Sequence, residues 1–340
     1  MSKMTIEQVI WETAQQQATT EKSRKPRFWR WFPAVLDVTI AGVLLCVFAL
    51  FHHVLPSAEQ PLEPLTPPTV QTPQDLEEPE DNSLGAKFKD KFTDTVVRTE
   101  NSYSSKNISV SVEKKTTGEG KNLVTYYVAD IYIRNIECFQ TAFAKDTFGT
   151  NIKEDLLDIA DRHNAILAIS GDYYGMHANK SVIRNGKLYR KKSSDEDVCV
   201  LYRDGSMRMF AEGTFDAERE IQNNAWQAFS FGPSLLNDDG TPRSGFSGYL
   251  AQTHPRCAIG YYEPGHYAFV LVDGRKENYS VGMKLEELGE LFQSMGCTAA
   301  YNLDGGRTAV MAFGGEVVNQ PYKGGRQISD IIFLGEVAQP

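Results

Sequence analysis

Three short stretches set an aspartate against glycine at the end of an apolar run, and these are the first candidates for chemistry. The fullest is Ala299 to Met311, where Ala-Ala-Tyr-Asn-Leu runs into Asp304-Gly305-Gly306 and the chain then turns apolar again. Read physically, a strand delivers a carboxylate to its end, and two residues without Cβ let a ligand come close to the backbone. The pattern recurs where Ala165 to Ile169 runs into Ser170-Gly171-Asp172, and where Tyr267 to Val272 runs into Asp273-Gly274-Arg275. Carboxylates held at strand ends can take up or deliver a proton, or attack an electrophile. Each has a plainer reading as a turn aspartate that bonds its own backbone.

Regular elements must position these groups. Lys284 to Met295 has apolar residues at helical spacing and stops at Gly296, so a helix leads into a strand over Cys297 to Leu303. Residues 107–115 and 124–133 alternate with the period of half-buried strands. Asn151 to His163 reads as a helix. Val182 to Tyr189 is a hairpin turning at Asn185-Gly186, and Val198 to Phe210 is another. Ala225 to Phe231 is a strand, and His254-Pro255-Arg256 opens another that pairs with Tyr267 to Val272. Residues 316–320 and 330–334 close the sheet. Strands outnumber helices, which gives an α+β fold, a single mixed, β-sheet-rich domain over 105–340.

The N-terminal third is different. Residues 1–33 form a basic tail carrying Lys22, Arg24, Lys25, Arg27 and Arg30, and 34–55 are almost wholly apolar. About 20 such residues match a bilayer's hydrocarbon thickness. Trp29, Trp31 and Phe32 stand where interfacial aromatics belong, and the basic flank puts the N-terminus in the cytoplasm and the rest outside. No small-x-small cleavage site follows, which favours an uncleaved transmembrane signal-anchor over a signal peptide. Residues 56–104 are a proline-rich, acidic stalk and lead-in.

The net charge of −9 and the lack of a basic run beyond the tail argue against nucleic-acid binding. Cys138, Cys199, Cys257 and Cys297 are even in number but form no CxxC pair, so a zinc site is not expected; bridges and buried thiols both remain open. No spacing resembles a calcium loop, and neither metal nor cofactor is expected to be essential.

Taken together and in order, six stretches resemble the phosphodiester glycosidase family. They are Ser170 to Tyr174, Val182 to Gly186, Ser230 to Leu235, His254 to Gly260, Val272 to Arg275, and Asn302 to Gly306 with Met311. The family usually has Gly-Ser-Ser after Asp-Gly-Gly, where this chain has Arg307-Thr308-Ala309, and often Pro-Arg-Thr-Ala, where this chain has Cys257 in place of the threonine. The resemblance implies hydrolysis of a sugar-1-phosphodiester at the anomeric centre. Phosphate leaves readily, so the need is for a cationic cradle plus one or two carboxylates that activate water or attack. Asp304, Asp273 and Asp172 are the candidate carboxylates, and Arg256, Arg307 and Arg184 the candidate phosphate ligands. Gly305 and Gly306 would offer backbone N–H groups to an oxyanion, with Gly171, Asn302, His254 and Asn319 as further substrate-binding candidates. Plainer readings stand beside these: Arg184 as a solvated strand residue, Arg256 in a structural salt bridge, His254 at the surface, Asn319 bonded to backbone. The expected partner is a phosphosugar-containing polysaccharide or glycolipid of the cell envelope, acted on by a membrane-anchored enzyme. The alternatives are a carbohydrate-binding module in which Arg307 pairs with Asp304 and fills the site, and an exopolysaccharide-assembly protein held by its span and stalk.

Overall fold

In a computed structural model, residues 5–20, 31–60, 62, 83–192 and 195–337 are described. The chain divides into two compact units, Met1–Leu55 and Pro56–Pro340. In the first, Ile6–Thr20 is a helix, exposed over residues 6–16, where the sequence suggested only a tail. Phe32–Ala49 is a helix long and apolar enough to cross a membrane, and a π-helical turn extends it over Leu50–Val54. The basic cluster at 22–30 and most of the proline-rich stretch, residues 61–82 save Leu62, lie outside the described residues.

The second unit is α+β, with its strands spread over three main sheets. The largest has seven strands, in the order 299–303, 256–263, 266–272, 124–133, 108–117, 102–104 and 97–98. A five-stranded sheet runs 316–317, 311–313, 167–170, 330–334 and 139–143, and another runs 187–190, 182–184, 225–229, 198–202 and 207–210. All these neighbours pair antiparallel, so period-two alternation sends every second side chain inward. One core joins the sheets: Ile131, Phe269 and Leu303 come from the first, Ile169, Met311 and Ile332 from the second, Leu201 and Phe229 from the third.

Helix Leu285–Met295 covers the other face of the large sheet through Leu285, Leu288 and Phe292. The fit is close, because a Cβ on Gly260 would stand 2.6 Å from the Phe292 ring. Helix Leu156–Arg162 covers the second sheet and is shorter than the expected 151–163, since Glu154 instead bridges to Ile328. Residues before 105 also pair into the large sheet. Val97–Arg98 forms the edge of the large sheet and Ser102–Ser104 the strand next to it, where short polar-flanked segments gain backbone partners that periodicity cannot announce. All four cysteines beyond the apolar helix are buried free thiols.

Candidate active site

Two sheets meet at the site. Asp304 follows strand Ala299–Leu303, and its N–H donates to the Gly171 carbonyl at 3.3 Å, just past strand Leu167–Ser170. Ser170 Oγ reinforces the junction, donating to the carbonyls of Thr308 at 2.7 Å and Asp304 at 3.3 Å. Asp304 is only 8 % exposed. Burial pushes its pKa up to about 6, against the pull of Thr308 and Arg326, and the nearby charge of Asp172 adds to the rise.

Arg326 is the cation on Asp304, with Nη2 at 3.4 Å from Oδ2 and its side chain 39 % exposed. Its guanidinium lies 4.9 Å from the centre of the Tyr173 ring. Tyr173 sits at φ 60°, a left-handed conformation that is an outlier for a bulky side chain and concentrates at functional sites.

Behind Asp304 lies a fully buried ion cluster. Arg184 Nη2 donates to Asp172 Oδ1 at 2.6 Å and to Asp330 Oδ2 at 3.0 Å, and Nε adds a second bond to Asp330 at 3.1 Å. Its Nη1 is taken by the carbonyls of Ile183 and Ala228. Asp172 also accepts from the Ser230 N–H at 2.9 Å. Burial raises the Asp330 pKa; Arg184 opposes this, and Asp172 and Asp304 add to it. Gly171 makes room for this carboxylate, since a Cβ there would stand 2.3 Å from Asp330 Oδ1.

The remaining candidates divide into braces and open groups. Asp273 accepts from Tyr279 Oη at 2.8 Å, Asn319 Nδ2 at 2.7 Å and the Gln320 N–H at 2.9 Å, so its carboxylate is spent on structure. Asn319 also holds the Ala309 carbonyl and the Met311 N–H. Asn302 donates to Gly232 O at 2.7 Å, beside the cis Gly232–Pro233 bond. Arg256 donates to the carbonyls of Met283, Leu250 and Gln252, and burial lowers its pKa to about 10. The Gly306 N–H is taken by Pro255 O at 2.9 Å, and Gly305 fits because a Cβ would stand 2.6 Å from the same oxygen.

Arg307 is exposed and donates to Gly325 O at 2.8 Å; the pairing with Asp304 foreseen for it belongs to Arg326. Of the arginines foreseen as phosphate ligands, Arg184 has every nitrogen committed inside the protein, and Arg256 commits Nε and Nη2 to backbone carbonyls. Arg275 is exposed, also at positive φ (58°), and its Nη1 lies 3.5 Å from where a Gly306 Cβ would stand. Its Nη2 contacts Tyr249 Oη at 2.7 Å and His254 Nδ1 at 3.1 Å. Burial lowers the His254 pKa to about 4, helped by Arg256 and Arg275, so the imidazole is neutral and accepts at Nδ1.

The structure thus gathers Asp304, Asp172, Arg184, Gly171, Gly305 and Gly306, and sets Asp273, Asn319, Asn302 and Arg256 as supports. Arg326, Tyr173, Asp330 and Arg275 lie in the same arrangement and were not among the sequence candidates. Tyr173 and Arg275 directly follow or nearly follow two of the aspartates, which was the available signal; Arg326 and Asp330 carried none. Among the described residues, no group of three or more His, Cys, Asp or Glu side chains is arranged to hold a metal ion.

Comparison with known proteins bears on this arrangement. The family model described as "NAGPA: Phosphodiester glycosidase" matches residues 163–334, a span that contains the aspartates and arginines described above. The chain is 31 % identical over 219 residues to the SPbeta prophage-derived uncharacterized protein YomE of Bacillus subtilis (strain 168). That match covers 61 % of this chain and 33 % of the relative, so the chain spans about a third of the relative's length. The fold is similar to that of the zebrafish N-acetylglucosamine-1-phosphodiester alpha-N-acetylglucosaminidase catalytic domain auto-inhibited by pro-peptide. The TM-score is 0.56 at 17 % identity, covering 68 % of this chain and 84 % of that one.

Proposed function

The chain belongs to the phosphodiester glycosidase family, and from that premise we propose that its domain hydrolyses a sugar-1-phosphodiester with Asp304 as the acting carboxylate. The observation that carries this reading is Asp304 itself, a buried acid with its pKa raised to about 6 beside a partly exposed arginine. Water attacks C1 of the sugar, and the bond from C1 to the phosphate oxygen breaks. The electron pair leaves with the phosphate monoester, and Asp304 takes the proton of the water. A base poised near the working pH suits that step, and a phosphate leaving group needs little help from an acid. Arg326 and Arg275 are the phosphate-binding cations of this scheme, because their side chains are accessible where Arg184 and Arg256 are enclosed. Asp172, Asp330 and Arg184 are positioning residues.

The substrate class is a phosphosugar-bearing glycopolymer or glycoconjugate of the cell surface. The helix Phe32–Ala49 and the basic flank before it support a signal-anchor with the domain outside the cytoplasm. The test is release of sugar from a panel of UDP-sugars and sugar-1-phosphodiesters by the full chain in detergent, beside Asp304→Asn. Release by the wild type, reduced about 100-fold or more in the folded variant, is expected. Equal release by both would overturn the assignment.

A phosphosugar-binding module without turnover is the second reading, favoured by the contact of Arg326 with Asp304. Binding of a sugar 1-phosphate with no release from any member of the panel would select it.

A further inference from the structure

The stretch directly after the apolar helix, which composition assigns to a stalk, is built into the domain. Ser57 and Ala58 pair antiparallel with Thr150 and Gly149, and the Glu59 N–H donates to Phe148 O at 2.9 Å. Only glycine fits opposite them, since a Cβ on Gly149 would stand 2.0 Å from Ser57 O. Both Glu59 carboxylate oxygens accept from Arg190 Nη2, at 3.0 and 3.2 Å. Arg190 is buried, its side chain 7 % exposed, and its guanidinium lies 5.1 Å from the centre of the Phe148 ring.

The other end of that guanidinium reaches the site. Arg190 Nη1 donates to the carbonyls of Tyr174 at 3.3 Å and His177 at 3.0 Å. The Phe148 ring stacks on Tyr174 with centroids 5.3 Å apart, and the Asn151 N–H donates to Gly175 O at 3.0 Å. These are the residues immediately after Asp172 and Tyr173. A buried cation stripped of its counter-charge is strongly disfavoured, so Arg190 would leave its place without Glu59 and release both carbonyls.

We propose that Glu59 is a positioning residue of the site: it holds Arg190, Arg190 holds the turn Tyr173–His177, and that turn keeps the Tyr173 ring under Arg326 beside Asp304. The effect on turnover rests on the hydrolase reading above; the effect on the turn does not. The experiment compares the full chain in detergent with Glu59→Ala and Glu59→Gln, by hydrogen exchange and by steady-state kinetics on whichever panel member is cleaved. Glu59→Ala is expected to raise exchange over Tyr173–His177 while strands Leu167–Ser170 and Asp330–Leu334 keep their protection. It is also expected to lower kcat by about tenfold, as a displaced positioning group does. Glu59→Gln, which keeps an acceptor but no charge, should fall between.

Unchanged exchange at the turn overturns the proposal. So does loosened exchange with wild-type kcat, which would make the contact a fastening only, or a uniform rise across all strands, which would report general destabilisation. If the wild type cleaves nothing, the hydrolase reading fails by itself and affinity for glucose 1-phosphate replaces kcat. Weaker binding by Glu59→Ala then supports the proposal, and wild-type affinity overturns it.

Discussion

Asp304 is an acid whose burial is opposed by one partly exposed arginine, and its pH behaviour follows from that balance. As the base that accepts water's proton, it works only when ionised, so kcat/KM should rise with pH through about 6 and then level off; a fall over that range would assign it the acid's role. Stability runs the other way. The native carboxyl binds its proton more tightly than the unfolded one, so stability falls as pH rises from about 4 to about 6 and stays at the lower level above. Asp304→Asn should therefore be more stable than wild type at pH 7.5, by up to roughly 3 kcal/mol, and should lose that advantage at pH 4, as read by urea titration. Arg326→Ala removes the cation that favours the ionised form, so the midpoint of the rate profile should move upward and kcat/KM fall. Arg307→Ala, lying outside this contact, should change kcat/KM less than about threefold.

At the scale of elements, the close meeting of strands Leu167–Ser170 and Asp330–Leu334 depends on Gly171. A methyl group there would fall 2.3–2.7 Å from three atoms of the Asp330 carboxylate, which Arg184 holds in place. Gly171→Ala should cost about 1–3 kcal/mol in urea unfolding, as overpacking does, and lower activity by disturbing the ion cluster. The elements themselves were largely legible. The Asn185-Gly186 hairpin, the helix ending at Gly296 and the strand that presents Asp304 follow from local chemistry, where turn residues and periodicity act within a few residues. Which arginine faces a ligand was not legible. Arg184 and Arg256 resemble Arg275 and Arg326 in sequence, but a guanidinium is assigned its partners by segments far away, such as Asp330 for Arg184 and Met283 for Arg256. The same holds for Ser57–Glu59, whose acidic, proline-flanked composition says extended while its pairing with Gly149–Thr150 is decided by tertiary contact.

For the molecule as a whole, the sheets are joined by packing and hydrogen bonds, with no disulfide among the described residues. Burial pushes the Cys257 thiol up to about 12, and Cys138 and Cys297 likewise, so these groups resist alkylation while the domain is folded. The thermal midpoint should be the same with and without dithiothreitol, and Ellman's reagent should label these thiols only in denaturant; a lower midpoint in reductant would reveal a bridge. The placement of Asp330–Leu334 has a further consequence. This strand lies between 167–170 and 139–143 in its sheet, yet it is the last strand among the described residues. Translation must therefore have passed residue 334 before that sheet can receive this inner member, and must have passed residue 330 before Arg184 can meet the second of its two carboxylates. A stop ahead of residue 330 would leave strands 167–170 and 139–143 without the strand that joins them, and Arg184 with Asp172 alone.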